Sequence, residues 1–247
     1  MRNTELESLI NGFLHVAAFQ DYGPNGLQVE GRSDVQRIVT GVTACQALLD
    51  AAVAQQADAV LVHHGYFWRN EPAVVRGMKR QRLKTLLAND LNLYGYHLPL
   101  DAHPQIGNNA QLAAMLDICV LGEIEPLLPY GEVAQPCSGD ALRHKLERVL
   151  ERPVLHCGDN APAQIRRIAW CTGGGQGFID QAADFGVDAF ITGEVSEKTI
   201  HTAREMGLHF YAAGHHATER AGIRALGEWL TAQHGFDVTF IDIPNPA

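Results

Sequence analysis

Six side chains in three separated segments carry donor types found in transition-metal sites: His63 and His64, His97 and Asp101, His215 and Glu219. Imidazole and carboxylate without thiolate suit Zn, Fe, Mn or Co in a catalytic site better than a closed structural zinc. Six donors exceed what one tetrahedral ion needs, so two divalent ions per chain is the better count. Carboxylates bridge paired ions about 3.5–4 Å apart, and water between such ions becomes a nucleophile at neutral pH. Each segment also has a plainer reading. An isolated His-His pair is ordinarily one core and one exposed histidine, since neighbours on a strand point to opposite faces; both reach one site only if the chain turns, which Gly65 permits. His215 and Glu219 share a face at i and i+4 if a helix begins near Gly214, and they equally suit a solvated helix start. His216 then points elsewhere, either supporting a ligand from behind or packing.

The elements that must position these groups follow from local patterning. His97-Leu-Pro-Leu-Asp101 is expected as a loop or extended segment, because Pro99 lacks a donor and restricts Leu98. Residues 37–43 read as a strand, 44–57 as a helix and 58–62 as a second strand ending at His63-His64-Gly65, a βαβ unit with parallel strands. The same order returns in residues 167–171, 178–184 and 188–192. At an offset of 130, Arg37, Ile38, Gln46, Asp50, Ala52, Asp58 and Ala59 match Arg167, Ile168, Gln176, Asp180, Ala182, Asp188 and Ala189, the pattern of an internal duplication. Short strand-like runs at 91–96 and 208–213 each lead to a histidine followed four residues later by an acid, pairing His97 and Asp101 with His215 and Glu219. Pro126, Pro129, Gly131, Pro136 and Gly139 mark a boundary near residue 128. The expected fold is therefore α/β: two similar halves with mixed, partly parallel sheets facing a shared metal cleft. Residues 1–128 carry His63, His64, His97 and Asp101, and residues 129–247 carry His215 and Glu219.

Composition narrows the function classes. The 247 residues are 46% hydrophobic and 19% charged, ordinary globular values that exclude a disordered chain. A formal charge of −9 argues against general nucleic-acid or acidic-membrane binding, while a small phosphorylated ligand stays open because a metal site reverses the field locally. Neither a signal peptide nor a bilayer-spanning run is expected. Five widely spaced cysteines with no Cys-x-x-Cys suggest no disulfide framework or cysteine zinc site, and a cytoplasmic protein is expected.

The runs Val62-His-His-Gly-Tyr-Phe-Trp68, Leu93-Tyr-Gly-Tyr-His-Leu-Pro-Leu-Asp101 and Gly214-His-His-Ala-Thr-Glu219 resemble the Nif-three-like dinuclear metal-binding family, widely named GTP cyclohydrolase 1 type 2 homologues. Asp21-Tyr-Gly-Pro-Asn-Gly-Leu-Gln28 and Phe190-Ile-Thr-Gly-Glu194 extend the likeness, which covers the full length. The resemblance implies His63, His64, Asp101, His215 and Glu219 as ligands, with Glu219 bridging. His97 would stand outside that set, relaying protons or orienting Asp101. It further implies a homohexamer built from dimers and a hydrolase acting on a nucleotide-like small molecule through a metal-bridging hydroxide, as in ring opening of GTP. Hydrolysis of modified or damaged nucleotides is an alternative within enzymes. A non-catalytic metal-binding ring scaffold or regulatory interaction protein is the alternative outside them.

Weaker candidates surround that set. Gly173-Gly174, in a glycine run that follows a strand and opens a helix, would either cradle a substrate phosphate with backbone amides or simply make a tight turn. Tyr66 and Trp68, beside the histidine pair, would either stack on a purine or pack in the core or against another subunit. Gly23-Pro-Asn-Gly26 is a turn by composition, and the resemblance brings it to the cleft.

Overall fold

The computed structural model describes residues 1–247. The chain forms two compact units, Met1–Gly107 with Gly222–Pro244, and Asn108–Ala221 with Asn245–Ala247. In the first, α1 (Asn3–Phe13), β1 (Gly26–Val29), β2 (Arg37–Thr43), α2 (Gln46–Ala54), β3 (Ala59–His64), α3 (Gly77–Ala88), β4 (Asn92–Gly95) and α4 (Leu98–Ala102) follow in order. The second holds α5 (Asn108–Met115), β5 (Ile118–Glu125), β6 (Leu128–Cys137), α6 (Gly139–Leu150), β7 (Leu155–Cys157), β8 (Ile165–Cys171), α7 (Ile179–Phe185), β9 (Ala189–Thr192), α8 (Glu197–Met206), β10 (His209–Ala212) and the start of α9 (His215–His234). After Ala221, α9 belongs to the first unit, as does β11 (Asp237–Phe240).

Both sheets are mixed. The first has the order β1-β4-β3-β2-β11 and the second β5-β6-β8-β9-β10-β7. In each, three parallel strands form the centre: β2, β3 and β4, and β8, β9 and β10. A short antiparallel strand closes one side of each trio, β1 on β4 and β7 on β10. The duplicated βαβ pattern is thus present in both sheets.

Near-continuous apolar strands require cover on both faces, and alternation assigns the faces. Ile38, Val42, Ala59, Leu61 and Tyr94 meet Leu6 and Ile10 of α1 and Ile223, Leu226 and Leu230 of α9. Val39, Val60, Val62 and Leu93 meet Leu48, Leu49 and Ala52 of α2. The second sheet repeats this: Ile168, Trp170 and Ile191 meet α6 through Leu142, Leu146 and Leu150, while Ala169, Phe190 and Phe210 meet Ile179 and Ala182 of α7 and Ala203 of α8. Each fully buried Leu, Ile or Phe contributes about 2–3 kcal/mol from area alone.

Three expectations are corrected. Division near 128 fails because the Pro/Gly cluster there is no linker: β5 and β6 pair antiparallel across Pro126 and Leu127, with Leu127 at φ 70. The compact units divide at Gly107/Asn108, and the first recovers Gly222–Pro244. Second, Leu98–Ala102 is helical, with Pro99 in its first turn, where the missing N–H would have had no intrahelical partner. Third, Gly65 is not the left-handed residue after the histidine pair; that is Phe67, φ 65, and Gly65 serves another purpose. A Cβ there would lie 2.1 Å from Gln28 Oε1, the atom that accepts the Tyr66 N–H at 2.7 Å.

Candidate metal centre

In each unit the candidate residues stand at the carboxyl ends of the parallel strands, where open α/β sheets leave room for ligands. In the first unit β3 ends in His63 and His64, with ring centroids 4.5 Å apart. His63 is fully buried, and its Nδ1–H donates to the Tyr96 carbonyl at 2.9 Å. That bond selects the tautomer whose Nε2 carries a lone pair, and Nε2 stands 3.5 Å from Asp101 Oδ1. A lone pair facing a carboxylate is the electrostatic arrangement that a cation relieves. His64 Nδ1 lies 3.3 Å from Thr43 Oγ1.

His97 is held from behind. Its Nδ1 is 2.7 Å from Asp21 Oδ1, and its N–H donates to Asn25 Oδ1 at 2.7 Å. Asp21 Oδ2 accepts from Asn25 Nδ2 and from the Leu98 N–H, both at 2.9 Å. Burial works to raise the Asp21 carboxyl, but the hydrogen bonds from His97 and Asn25, the His97 charge and the Leu98 amide outweigh it and hold the group at about 2. A carboxylate behind an imidazole orients the ring and raises its basicity, the usual support of a metal-ligating histidine. Ligand atoms of His63, His64 and His97 lie within 4.8 Å of one another, so His97 joins the imidazole group itself. Trp68 meets the His97 ring edge-on at 5.0 Å.

In the second unit Glu219 is buried, one helical turn beyond His215 at the start of α9. His215 Nε2 is 3.2 Å from Glu219 Oε2, and its Nδ1 is 2.7 Å from Glu194 Oε1. The hydrogen bond to Glu219 pushes the His215 pKa up to about 9, against burial and with help from the charges of Glu219 and Glu194. Surroundings that retain a proton on an imidazole also favour a cation beside it. Gly173 makes room for this carboxylate. At φ +66, a Cβ there would lie 2.0 Å from Glu219 Oε1.

The weaker candidates separate. Tyr66 is buried, and its hydroxyl donates to the Ala44 carbonyl at 2.7 Å; it is a core residue and presents no face for stacking. Trp68 stays beside the imidazoles. The Gly173 N–H donates to Thr218 Oγ1 at 2.9 Å, so this glycine accommodates a carboxylate rather than cradling a phosphate. Gly174 is exposed. Sequence reasoning left two residues out of the site, Asp21 and Glu194. Both lie in runs that carry the family likeness, and Glu194 sits 130 positions after His64, the offset of the duplication.

Fold and site together define a duplicated α/β protein with imidazole–carboxylate groups at its strand ends. The chain belongs to the Duf34/NIF3 (NGG1p interacting factor 3) family, whose model matches residues 1–246. A Yersinia pestis protein named GTP cyclohydrolase 1 type 2 homolog is 76% identical over 247 residues, covering 100% of both chains. The solved structure of protein ybgI, described as of unknown function, is 70% identical with a TM-score of 0.99 over 100% of both chains. TTHA1606 from Thermus thermophilus is 31% identical with a TM-score of 0.93, again over 100% of both. No helix of the chain is long and apolar enough to cross a membrane.

Proposed function

We propose that the protein is a dinuclear-metal-dependent hydrolase of a nucleotide-like small molecule, with His63, His64, Asp101, His215 and Glu219 holding two divalent ions per chain. The observation that carries the reading is the His63–Asp101 pair, in which a carbonyl-tethered imidazole turns Nε2 toward a buried carboxylate beside two further imidazoles. When bound, the ions supply Lewis acidity and lower the pKa of water enough to make a nucleophile at neutral pH. The chain's own residues orient and exclude. Tyr96 O fixes the His63 ring, Asp21 fixes His97, and Glu194 fixes His215. Buried Asp101 and Glu219 sit away from bulk water, which strengthens their hold on a cation. His97, backed by Asp21, is the residue to relay a proton. Trp68 is the aromatic face for a base. The name borne by the relatives brings GTP ring opening into the candidate reactions, beside hydrolysis of damaged nucleotides. Assembly as a homohexamer of dimers in the cytoplasm belongs to the same proposal.

Elemental analysis of protein purified without chelator should find two ions per chain. A panel of GTP, damaged nucleotides and phosphodiesters, run with Mn, Fe, Co and Zn, should show turnover that Asp101→Asn abolishes. Silence across the panel with both ions bound would favour the non-catalytic ring scaffold instead.

A further inference from the structure

Beside Glu194 the second unit carries a cleft of about 630 Å3, within the range of small-molecule sites. Its walls include Val154, Gly193, Glu194, Val195 and Gly214, and Arg152 is its one cationic side chain. The guanidinium is held by main-chain oxygens: Nη1 donates to Ala247 O at 3.1 Å, Nη2 to Pro246 O at 3.0 Å and Nε to Pro153 O at 3.3 Å. An arginine has five N–H donors, so three bonds leave two N–H groups on a head that is already oriented. Gly214 admits the head, because a Cβ there would lie 2.0 Å from Arg152 Nη1. The next residue is His215. Glu194, in the cleft wall, accepts from His215 Nδ1 at 2.7 Å and from Gln176 Nε2 at 3.0 Å, so both its oxygens are engaged.

We infer that this cleft is an anchoring subsite and that Arg152 holds a phosphate group of the substrate there, beside the His215–Glu194 pair. A guanidinium matches phosphate oxygens in geometry and charge, and its bonds to an anion are stronger than bonds between neutral groups. The inference rests on the proposed hydrolase only for what lies at the other end of the substrate; phosphate capture by Arg152 does not require an ion.

The test titrates the full chain with GMP and with guanosine by calorimetry, once loaded with Mn and once after chelation, with metal content measured in parallel. GMP should bind at least about tenfold more tightly than guanosine in both preparations. Arg152→Gln should bring GMP to the guanosine level while guanosine affinity holds. Because Arg152 also binds Pro246 and Ala247, Arg152→Lys provides a second variant that keeps the charge and loses the fork; it should weaken GMP several-fold. Should Arg152→Gln fail to fold, Arg152→Lys decides. Equal affinities of the native protein for GMP and guanosine, no binding of either, or unchanged GMP affinity in the folded variants would overturn the inference. GMP binding that vanishes on chelation would assign the phosphate to the ions and overturn it too, with the metal reading intact. Binding that depends on Arg152 in a protein that takes up no ion would support it and remove the metal reading.

Discussion

The first unit ends β3 in His63-His64, and the second, at the same place in the repeat, runs from β9 into Gly193-Glu194. The scaffolds beneath agree closely. Asp58 Oδ2 accepts the N–H groups of Gln36 and Arg37 at 3.0 and 2.8 Å, and Asp188 Oδ2 accepts those of Arg166 and Arg167 at 2.8 Å each. The chemistry differs: two imidazoles at one strand end correspond to a carboxylate at the other. The next strands keep register at a different offset. Tyr96 N–H donates to Val62 O at 2.9 Å and Ala213 N–H to Thr192 O at 2.8 Å, so Tyr96 corresponds to Ala213 and His97 to Gly214. The sequence pairing of His97 with His215 is therefore one residue out. A duplicated frame holds its hydrogen-bond ladders while the residues just past the strand ends are free to diverge, because they carry no ladder bonds.

The largest expected effect breaks the comparison at its chemistry. His63→Ala in the first unit and Glu219→Ala in the second should each reduce copurifying metal below the proposed two ions per chain, to one or none, with far-ultraviolet circular dichroism retained. Metal loss from only one of the two variants would show that the units do not contribute alike.

Removing the shared aspartates tests the scaffold instead. Asp58→Ala and Asp188→Ala each leave two strand-end amides without their acceptor and should cost about 2–3 kcal/mol in urea denaturation. Asp58 also pairs with Arg32 at 3.0 Å, but the arginine side chain is 42% exposed, so that ion pair adds no more than about 0.5 kcal/mol. A difference between the variants well beyond that would break the equivalence.

Acid sharpens the same contrast. Burial works to raise the Asp58 carboxyl, but the amides of Arg37 and Gln36 and the charges of Arg32 and Arg37 outweigh it and lower its pKa from 3.8. A carboxyl depressed in the folded state contributes stability that is fully present above its unfolded pKa and lost as pH falls through the folded one. The stability gap between the native protein and Asp58→Asn, measured in urea at about pH 7 and again well below the ordinary carboxylate range, should shrink on acidification.

Glycine substitutions rank the two strand ends. Gly173→Ala forces a Cβ to 2.0 Å from Glu219 Oε1 at a φ of +66 and should cost about 1–3 kcal/mol while lowering metal content. Gly65→Ala meets the far end of the Gln28 side chain, which swings away more readily, so thermal denaturation should show a smaller loss. The smallest effect belongs to Pro99→Ala. In the first turn of α4 the proline sacrifices no helical bond, and stability should stay within about 0.5 kcal/mol.

Much of this was legible beforehand. Residues 37–43 and 58–62 read as strands by their apolar β-branched runs, and the offset of 130 carries the repeat in the sequence itself. The donor residues were legible by type. The boundary near 128 was not, because proline and glycine punctuate hairpins as readily as linkers, and strand pairing between residues 118–125 and 128–137 does not show in local composition. Nor was the helix at residues 98–102, where position within the turn outweighs proline's general aversion.

By itself, the sequence determined which atoms are available: imidazoles and carboxylates at three places, strands that must be covered on both faces, and glycines whose close approaches to Gln28 and Glu219 only the fold revealed. These follow from residue type and from periods of 2 and 3.6, which are local properties. Only the tertiary structure decided the tautomer of His63, through a carbonyl 33 residues away, the support of His97, through an aspartate 76 residues away, and the engagement of Glu194 with His215. Those bonds join residues brought near one another by sheet pairing and helix cover, so their physical origin lies in the burial of the whole chain and in no local run of residues.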